Sequence, residues 1–167
     1  MNNRTLRQII FLVFVSLTLF SCSKEEVASS EPKTSSQVNV KYNYTSDELE
    51  VLNLINNYRA SKGLNILEKI DYIATVSEGH DHYMISVGEI SHNNFQDRYE
   101  ALVTNLGAKT VSENVAYNYS TPQGVFKAWL ASEGHRLNIE GDFTHFGISI
   151  RANAEGKKYY TNLFMKK

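Results

Sequence analysis

An α+β fold, with helices packed on an antiparallel sheet, is predicted by three observations. Apolar residues recur at helical spacing in four segments, a β-rich segment interrupts them, and two β-rich runs joined by a turn close the chain. The 167 residues, 42% hydrophobic and 21% charged, provide for one core. No internal repeat and no second linker divides them.

The chain opens on Arg4 and Arg7, the apolar run Ile9 to Phe20, and Ser21 before Cys22. This basic, apolar, small-residue order reads as an export signal over residues 1–21. At about twelve residues the apolar run is too short to span a bilayer as a helix. Leu19-Phe20-Ser21-Cys22 resembles the Leu-x-small-Cys pattern of bacterial lipoproteins. That resemblance implies a lipid-modified Cys22, which places the mature chain on the cell envelope, at the periplasmic face or the surface of the outer membrane. A double or triple acyl anchor holds stably where one chain is marginal. Cys22 is the only cysteine, so no intrachain disulfide can support the fold.

Residues 22–44, rich in Ser, Lys, Glu and Gln, are predicted to form a flexible linker, because they carry too little apolar surface to offset the entropy of ordering. Ser23-Lys24-Glu25-Glu26 resembles the lysine-plus-acidic signal of some surface-exposed lipoproteins.

The domain proper is predicted over residues 45–167. Thr45 with Glu48 fits a capping box, and Leu49, Leu52, Ile55 and Tyr58 or Arg59 repeat at helical spacing as far as Lys62, before Gly63. A second helix begins near Asp71 and carries Ile73, Val76, His80, Tyr83 or Met84, and Val87 on one face before Gly88. After a polar loop, Glu89 to Asn94, a shorter helix runs from about Gln96 to Leu106 and stops at Gly107. Val111 to Tyr119 reads as extended. Thr121-Pro122 supplies an N-cap and a first-turn proline for a helix reaching about Ser132. The remainder is read as turn and strand, with Phe146 to Arg151 and Tyr159 to Phe164 forming a hairpin across Asn153-Ala154-Glu155-Gly156.

The formal charge is −1, and loss of the two leader arginines leaves 15 basic against 18 acidic residues. Without a basic run or stripe, nucleic acid is excluded as the expected partner. Neither common Gly-rich phosphate loop is present, which argues against nucleotide binding.

Chemistry concentrates in four polar clusters: Ser91-His92-Asn93-Asn94-Phe95, Ser112-Glu113-Asn114-Val115-Ala116, Ser132-Glu133-Gly134-His135-Arg136-Leu137-Asn138-Ile139, and Phe143-Thr144-His145-Phe146-Gly147-Ile148. With Asn57-Tyr58-Arg59 and Trp129, their order and separations resemble the CAP superfamily, the fold of cysteine-rich secretory proteins, antigen 5 and plant pathogenesis-related protein 1, in its bacterial form. The resemblance covers roughly Ser46 to Phe164. It implies a three-layer α-β-α sandwich with a central antiparallel sheet and a cleft holding two histidines and two acids. By position these are His92, His145 and Glu113. The second acid is open, because the family's position falls at Ser132 and the nearest carboxylate is Glu133. His135 is expected to line the same cleft.

Imidazoles and carboxylates converging in a cleft suit Zn²⁺ or another divalent metal with an open position, and equally a metal-free hydrogen-bond network. Two functions follow. One is an extracytoplasmic binding module for a lipid or peptide, anchored to the membrane through Cys22. The other is a Zn-dependent hydrolase or peptidase, in which His92 and His145 hold the metal and Glu113 is the general base. The absence of His-Glu-x-x-His and of Gly-x-Ser-x-Gly favours the binding module. Outside the cleft, His80 reads as a hydrogen-bonded core residue, His82 as a solvated group, Trp129 as core, Arg136 as a structural cation, and Asn114 and Asn138 as anchors of neighbouring backbone.

Overall fold

The computed structural model describes residues 39–167. The leader, Cys22 and the Ser23–Glu26 segment lie outside them. Helix α1 is Ser46–Ser61, β1 Glu68–Lys69, α2 Asp71–Val87, α3 Phe95–Leu106, β2 Thr110–Tyr117, α4 Pro122–Ala131, α5 Glu133–Glu140, β3 His145–Ala152 and β4 Lys158–Lys166. None of the described helices is long and apolar enough to cross a membrane.

The helix ends follow their sequence signals. The Thr45 side chain accepts from the Glu48 backbone while the Glu48 side chain accepts from the Thr45 backbone, completing the capping box. Thr121 caps α4 by accepting from Gly124 N at 3.1 Å, with Pro122 next. Gly88 and Gly107 end α2 and α3 at φ 68° and 71°, in the left-handed region where a side chain would be strained.

The sheet order is β1-β3-β4-β2. The three long strands run antiparallel, and β1 adds a short parallel edge to β3. Strand alternation sends Phe146, Ile148 and Ile150 to one face, where they pack with Val51, Leu52 and Ile55 of α1, Val125 and Trp129 of α4, and Ile139 of α5. On the other face Val111, Leu163 and Met165 pack with Ile73 of α2 and Leu102 of α3. Helices thus cover both faces of the sheet, the expected three-layer arrangement.

Two expectations need correction, and one strand was not foreseen. The segment after Ala131, read as turn, contains α5. Its single fully buried apolar residue, Ile139, and its interior Gly134 leave almost no periodic signal over eight residues. Strand β1 has two exposed residues and no alternation to read. The flexible linker does not extend to residue 44. Tyr42 is buried, its hydroxyl donates to Glu48 Oε1 at 2.9 Å, and its backbone N–H donates to Asp71 Oδ2 at 3.2 Å.

Candidate functional site

Glu113 lies on β2, where alternation turns its side chain toward α2 and α3. The carboxylate is only 2% exposed. Arg98, in the second turn of α3, grips it with two nitrogens: Nε donates to Oε2 at 2.6 Å and Nη2 to Oε1 at 2.7 Å. Such a fork on a carboxylate is the strongest common ion-pair geometry. The third Arg98 contact, Nη1 to the Asn93 carbonyl at 2.8 Å, fixes the loop before α3.

That loop carries His92, whose Nδ1 donates to Glu113 Oε1 at 2.8 Å. A carboxylate can only accept, so Nδ1 bears the hydrogen, and in the neutral ring Nε2 then has the free lone pair. The ring is 54% exposed, so this lone pair faces accessible space. His80, buried on α2 as the sequence predicts, holds the same loop by donating Nε2–H to the Ser91 carbonyl at 2.8 Å, and it also stands 4.0 Å from Glu113 Oε1. It therefore braces the site from behind.

His135 stands in the first turn of α5, near enough to His92 for that ring to act on its pKa. The Asn114 amide donates to the His135 carbonyl at 3.1 Å, and the Asn138 amide donates to the Glu113 carbonyl at 3.1 Å and to Asn114 Oδ1 at 2.9 Å. These bonds bind α5 to β2, as expected of backbone anchors. His135 also lines a groove of about 290 Å³ with Ile90, Val115, Tyr117, Tyr119 and Trp129. The Trp129 indole N–H donates to the Val115 carbonyl at 3.0 Å and fixes that wall.

Burial alone would raise the Glu113 pKa, but the hydrogen bonds from His92 and Arg98 and the Arg98 charge outweigh it and hold the group below its ordinary value. Burial lowers the His135 pKa, and the nearby His92 adds to the shift. His80 is lowered by burial against the pull of Glu113.

Two sequence-predicted members stand elsewhere. His145 opens β3 opposite Met165, which pairs with Val111, whereas Glu113 lies opposite Leu163, which pairs with Gly147. With β4 between their strands and a two-residue offset, the two Cα atoms are about 12 Å apart. His145 instead meets Thr144 Oγ1 at 2.7 Å and stands 3.8 Å from Glu68 Oε2 at the β1 edge. Glu133 is exposed in the first turn of α5. Two residues from His135, it points to a different side of the helix, and its charge suits the helix N-terminus. Among the described residues no group of three or more His, Cys, Asp or Glu is placed to hold a metal ion. The set His92, His145, Glu113 and Glu133 therefore does not fit a catalytic zinc site, which needs three protein ligands.

Arg98 was not legible as a site residue. The one available signal was a basic residue one turn into a helix that follows the His92 loop, and surface arginines commonly occupy such positions. Three expectations for residues outside the cleft hold. Trp129 is core, Arg136 Nη1 pairs with Glu140 Oε2 at 2.8 Å, and His82 is largely exposed.

A family model described as the cysteine-rich secretory protein family, CAP, matches residues 52–164. An uncharacterised membrane protein of Bacillus subtilis, YlbC, is 33% identical over 143 residues, covering 82% of this chain and 39% of its own length. A second B. subtilis protein, YkwD, also uncharacterised, is 27% identical over 155 residues, covering 88% of this chain and 59% of its own. This chain thus spans about two to three fifths of these curated relatives. Among solved structures, an extracellular SCP-domain protein from Bacillus anthracis superposes with a TM-score of 0.65 at 28% identity, over 72% of this chain and 40% of the other. An outer surface protein of Borrelia burgdorferi gives 0.66 at 20% identity over 76% and 98%, a likeness of fold. The matched span takes in β2, the Trp129 helix and α5 as well as the sandwich beneath them, and the chain belongs to the cysteine-rich secretory protein (CAP) family.

Proposed function

We propose that the chain is an exported binding module, held at the cell envelope by a lipid on Cys22, whose cleft takes a lipid or peptide ligand. The observation that carries this reading is the state of Glu113. Its buried carboxylate already accepts from His92 and twice from Arg98, and its pKa lies below the ordinary value. A general base needs a free lone pair at the substrate and a proton affinity near the working pH. Glu113 is 2% exposed, has three of its roughly four acceptor sites taken and holds its proton weakly, so it is poorly suited to serve as the hydrolase's base.

A ligand's polar group meets His92 Nε2 and the His135 ring. Its apolar part lies along the groove beside Trp129, within reach of the exposed Ile90, Tyr117 and Tyr119. The Glu113–His92 bond orients the imidazole much as a carboxylate orients a metal-ligating histidine, so a divalent ion entering the cleft would meet His92 and His135. No step of the proposed function requires one. The leader and the extracellular or surface character of the structural neighbours support the assignment to the envelope.

Trp129 is the chain's single tryptophan and walls the groove, so its fluorescence reports occupancy. The full chain, reconstituted in nanodiscs, is titrated with laurate and with the tripeptide Ala-Leu-Ala. Saturable quenching or blue shift with one probe, lost in the His92→Ala/His135→Ala double variant, is the expected result, and the responding probe names the ligand class. Binding that survives in the double variant places the site elsewhere. Peptide hydrolysis that disappears in Glu113→Gln overturns the binding-module reading.

A further inference from the structure

The sheet order gives β2 a neighbouring strand on one side only. Asn118 N–H donates to the Lys158 carbonyl at 2.7 Å, in step with the β2–β4 register. Main-chain groups along an antiparallel strand alternate between its two sides, so the even-numbered residues from Thr110 to Ala116 bond to β4. Val111, Glu113, Val115 and Tyr117 then aim N–H and C=O away from the sheet. Two side-chain contacts agree with that direction. The Asn138 amide donates to the Glu113 carbonyl, and the Trp129 indole donates to the Val115 carbonyl.

This cover ends at Val115. Among the described residues nothing accepts from the N–H of Val115 or Tyr117, and nothing donates to the Tyr117 carbonyl. Tyr117 is 39% exposed, and Val115, Ala116 and Tyr117 form one wall of the 290 Å³ groove beside Trp129. No charge or proline blunts this stretch, as is usual where a strand edge must stay unpaired. The edge also has a polarity. At Tyr117 it offers a donor and an acceptor, as a neighbouring strand requires. At Val115 only the N–H is left, and the Trp129 and Asn138 side chains stand where a longer strand would continue. A chain that ends there meets a donor. A carboxylate, which only accepts, suits that position, and an ammonium, which only donates, does not.

We propose that this edge takes the C-terminus of a peptide as an added strand running antiparallel to β2, a mode of recognition in which main-chain bonds give affinity. The inference rests on the binding-module reading and selects a peptide over a lipid. The terminal carboxylate accepts from Val115 N–H, in the groove that His135 also lines. The third residue from the end exchanges both main-chain bonds with Tyr117. The residue between them turns its side chain to the Ala116 face, into the groove beside Trp129. An acyl chain has no N–H for the Tyr117 carbonyl.

The test is amide NMR with hydrogen exchange on the full chain in nanodiscs. The probes are N-acetyl-Ala-Leu-Ala, its C-terminal amide, its forms N-methylated at the first alanine or at leucine, and laurate. The free acid is expected to bind saturably and to slow exchange of the Val115 and Tyr117 amides. Affinity should fall about tenfold for the C-terminal amide and for methylation at the first alanine, whose N–H meets Tyr117. Methylation at leucine, whose N–H points away from β2, should change it little. Laurate should leave Tyr117 exchange unchanged. Unprotected Tyr117 with the free acid, equal affinity of acid and amide, undiminished binding of the alanine-methylated peptide, or protection of Tyr117 by laurate overturns the proposal. Saturation of the groove by laurate and not by the peptide overturns strand addition while the binding-module reading stands, and saturation by neither overturns both.

Discussion

Glu113 and Arg98 illustrate how a pair of side chains can settle a role that neither suggests alone. Burying the carboxylate is costly, and the fork of Arg98 with the His92 N–H offsets that cost. Removing Arg98 leaves the charge buried and underpaired. Arg98→Met is accordingly expected to cost about 3–5 kcal/mol in denaturant unfolding, and Arg98→Met with Glu113→Gln to recover most of it. Acid sensitivity follows from the pKa directions. Glu113, held below its ordinary 4.5, stabilises the fold above that pH and loses the contribution as pH falls further. His80 and His135, lowered from 6.5, add a penalty that enters as pH drops below 6.5. Asp81 acts in the opposite sense. Burial raises its pKa well above 3.8 against a 2.6 Å hydrogen bond from Thr161 Oγ1, so the fold favours the neutral acid and loses stability as pH rises from 3.8 toward the folded value. Asp81→Asn can keep the Thr161 bond without the titration. Its thermal midpoint should exceed the parent's at pH 7 and match it near pH 3. In the sequence, His92, Glu113 and His135 were visible as polar clusters at element ends. Asp81 and Arg98 were not, since each becomes distinctive only through what packs over it.

Among the elements, α2 and α5 do most to position the cleft, and they differed sharply in how readable they were. Helix α2 has 17 residues and a Gly88 stop, so its amphipathic stripe was plain. Its seat on the sheet is set by Gly147 of β3. A Cβ at Gly147 would stand 2.5 Å from Ala74 N and 2.7 Å from Ile73 Cβ, and backbone cannot yield as a flexible side chain does. Gly147→Ala should therefore cost roughly 1–3 kcal/mol by overpacking, measured by chemical unfolding. It should also shift the His80 and Ser91 amide resonances, because the helix carries His80. Helix α5 has eight residues and is held by its partners instead. Arg59, fully buried on α1, donates Nη1 to the Ile139 and Gly141 carbonyls at 2.7 and 2.9 Å, closing the α5 C-terminus. The Asn114 and Asn138 amides tie its flank to β2. Those restraints arrive from 21 to 82 residues away. No local window of sequence contains them, which is why α5 read as turn.

At the scale of the molecule, the order of elements was legible because helical periods are separated by β-rich runs, although β2, β3 and β4 are buried along most of their length and show no clean alternation. Strand order was not, and it decides the membership of the site. The family resemblance implied two histidines and two acids, with the second acid left open. The β2-β4-β3 arrangement then carries His145 away from Glu113, while His135 on α5 stays near enough to His92 to feel its charge. Glu48 shows the same effect at the opposite end of the sheet. Read as a capping residue, it is also a fully buried hub that accepts from Tyr42, the Ile150 backbone and Arg151, joining α1 to β3 and to the chain entering the domain.

The central claim is that Glu113 is a clamped carboxylate orienting His92 for ligand binding. A carbon-13 NMR titration of the glutamate carboxyls in the full chain, assigned by difference from Glu113→Gln, tests it most directly. The account predicts that the Glu113 signal stays that of a carboxylate from neutral pH down to below 4.5. Uptake of a proton by Glu113 between about pH 6 and 7, where a general base is poised, would contradict it.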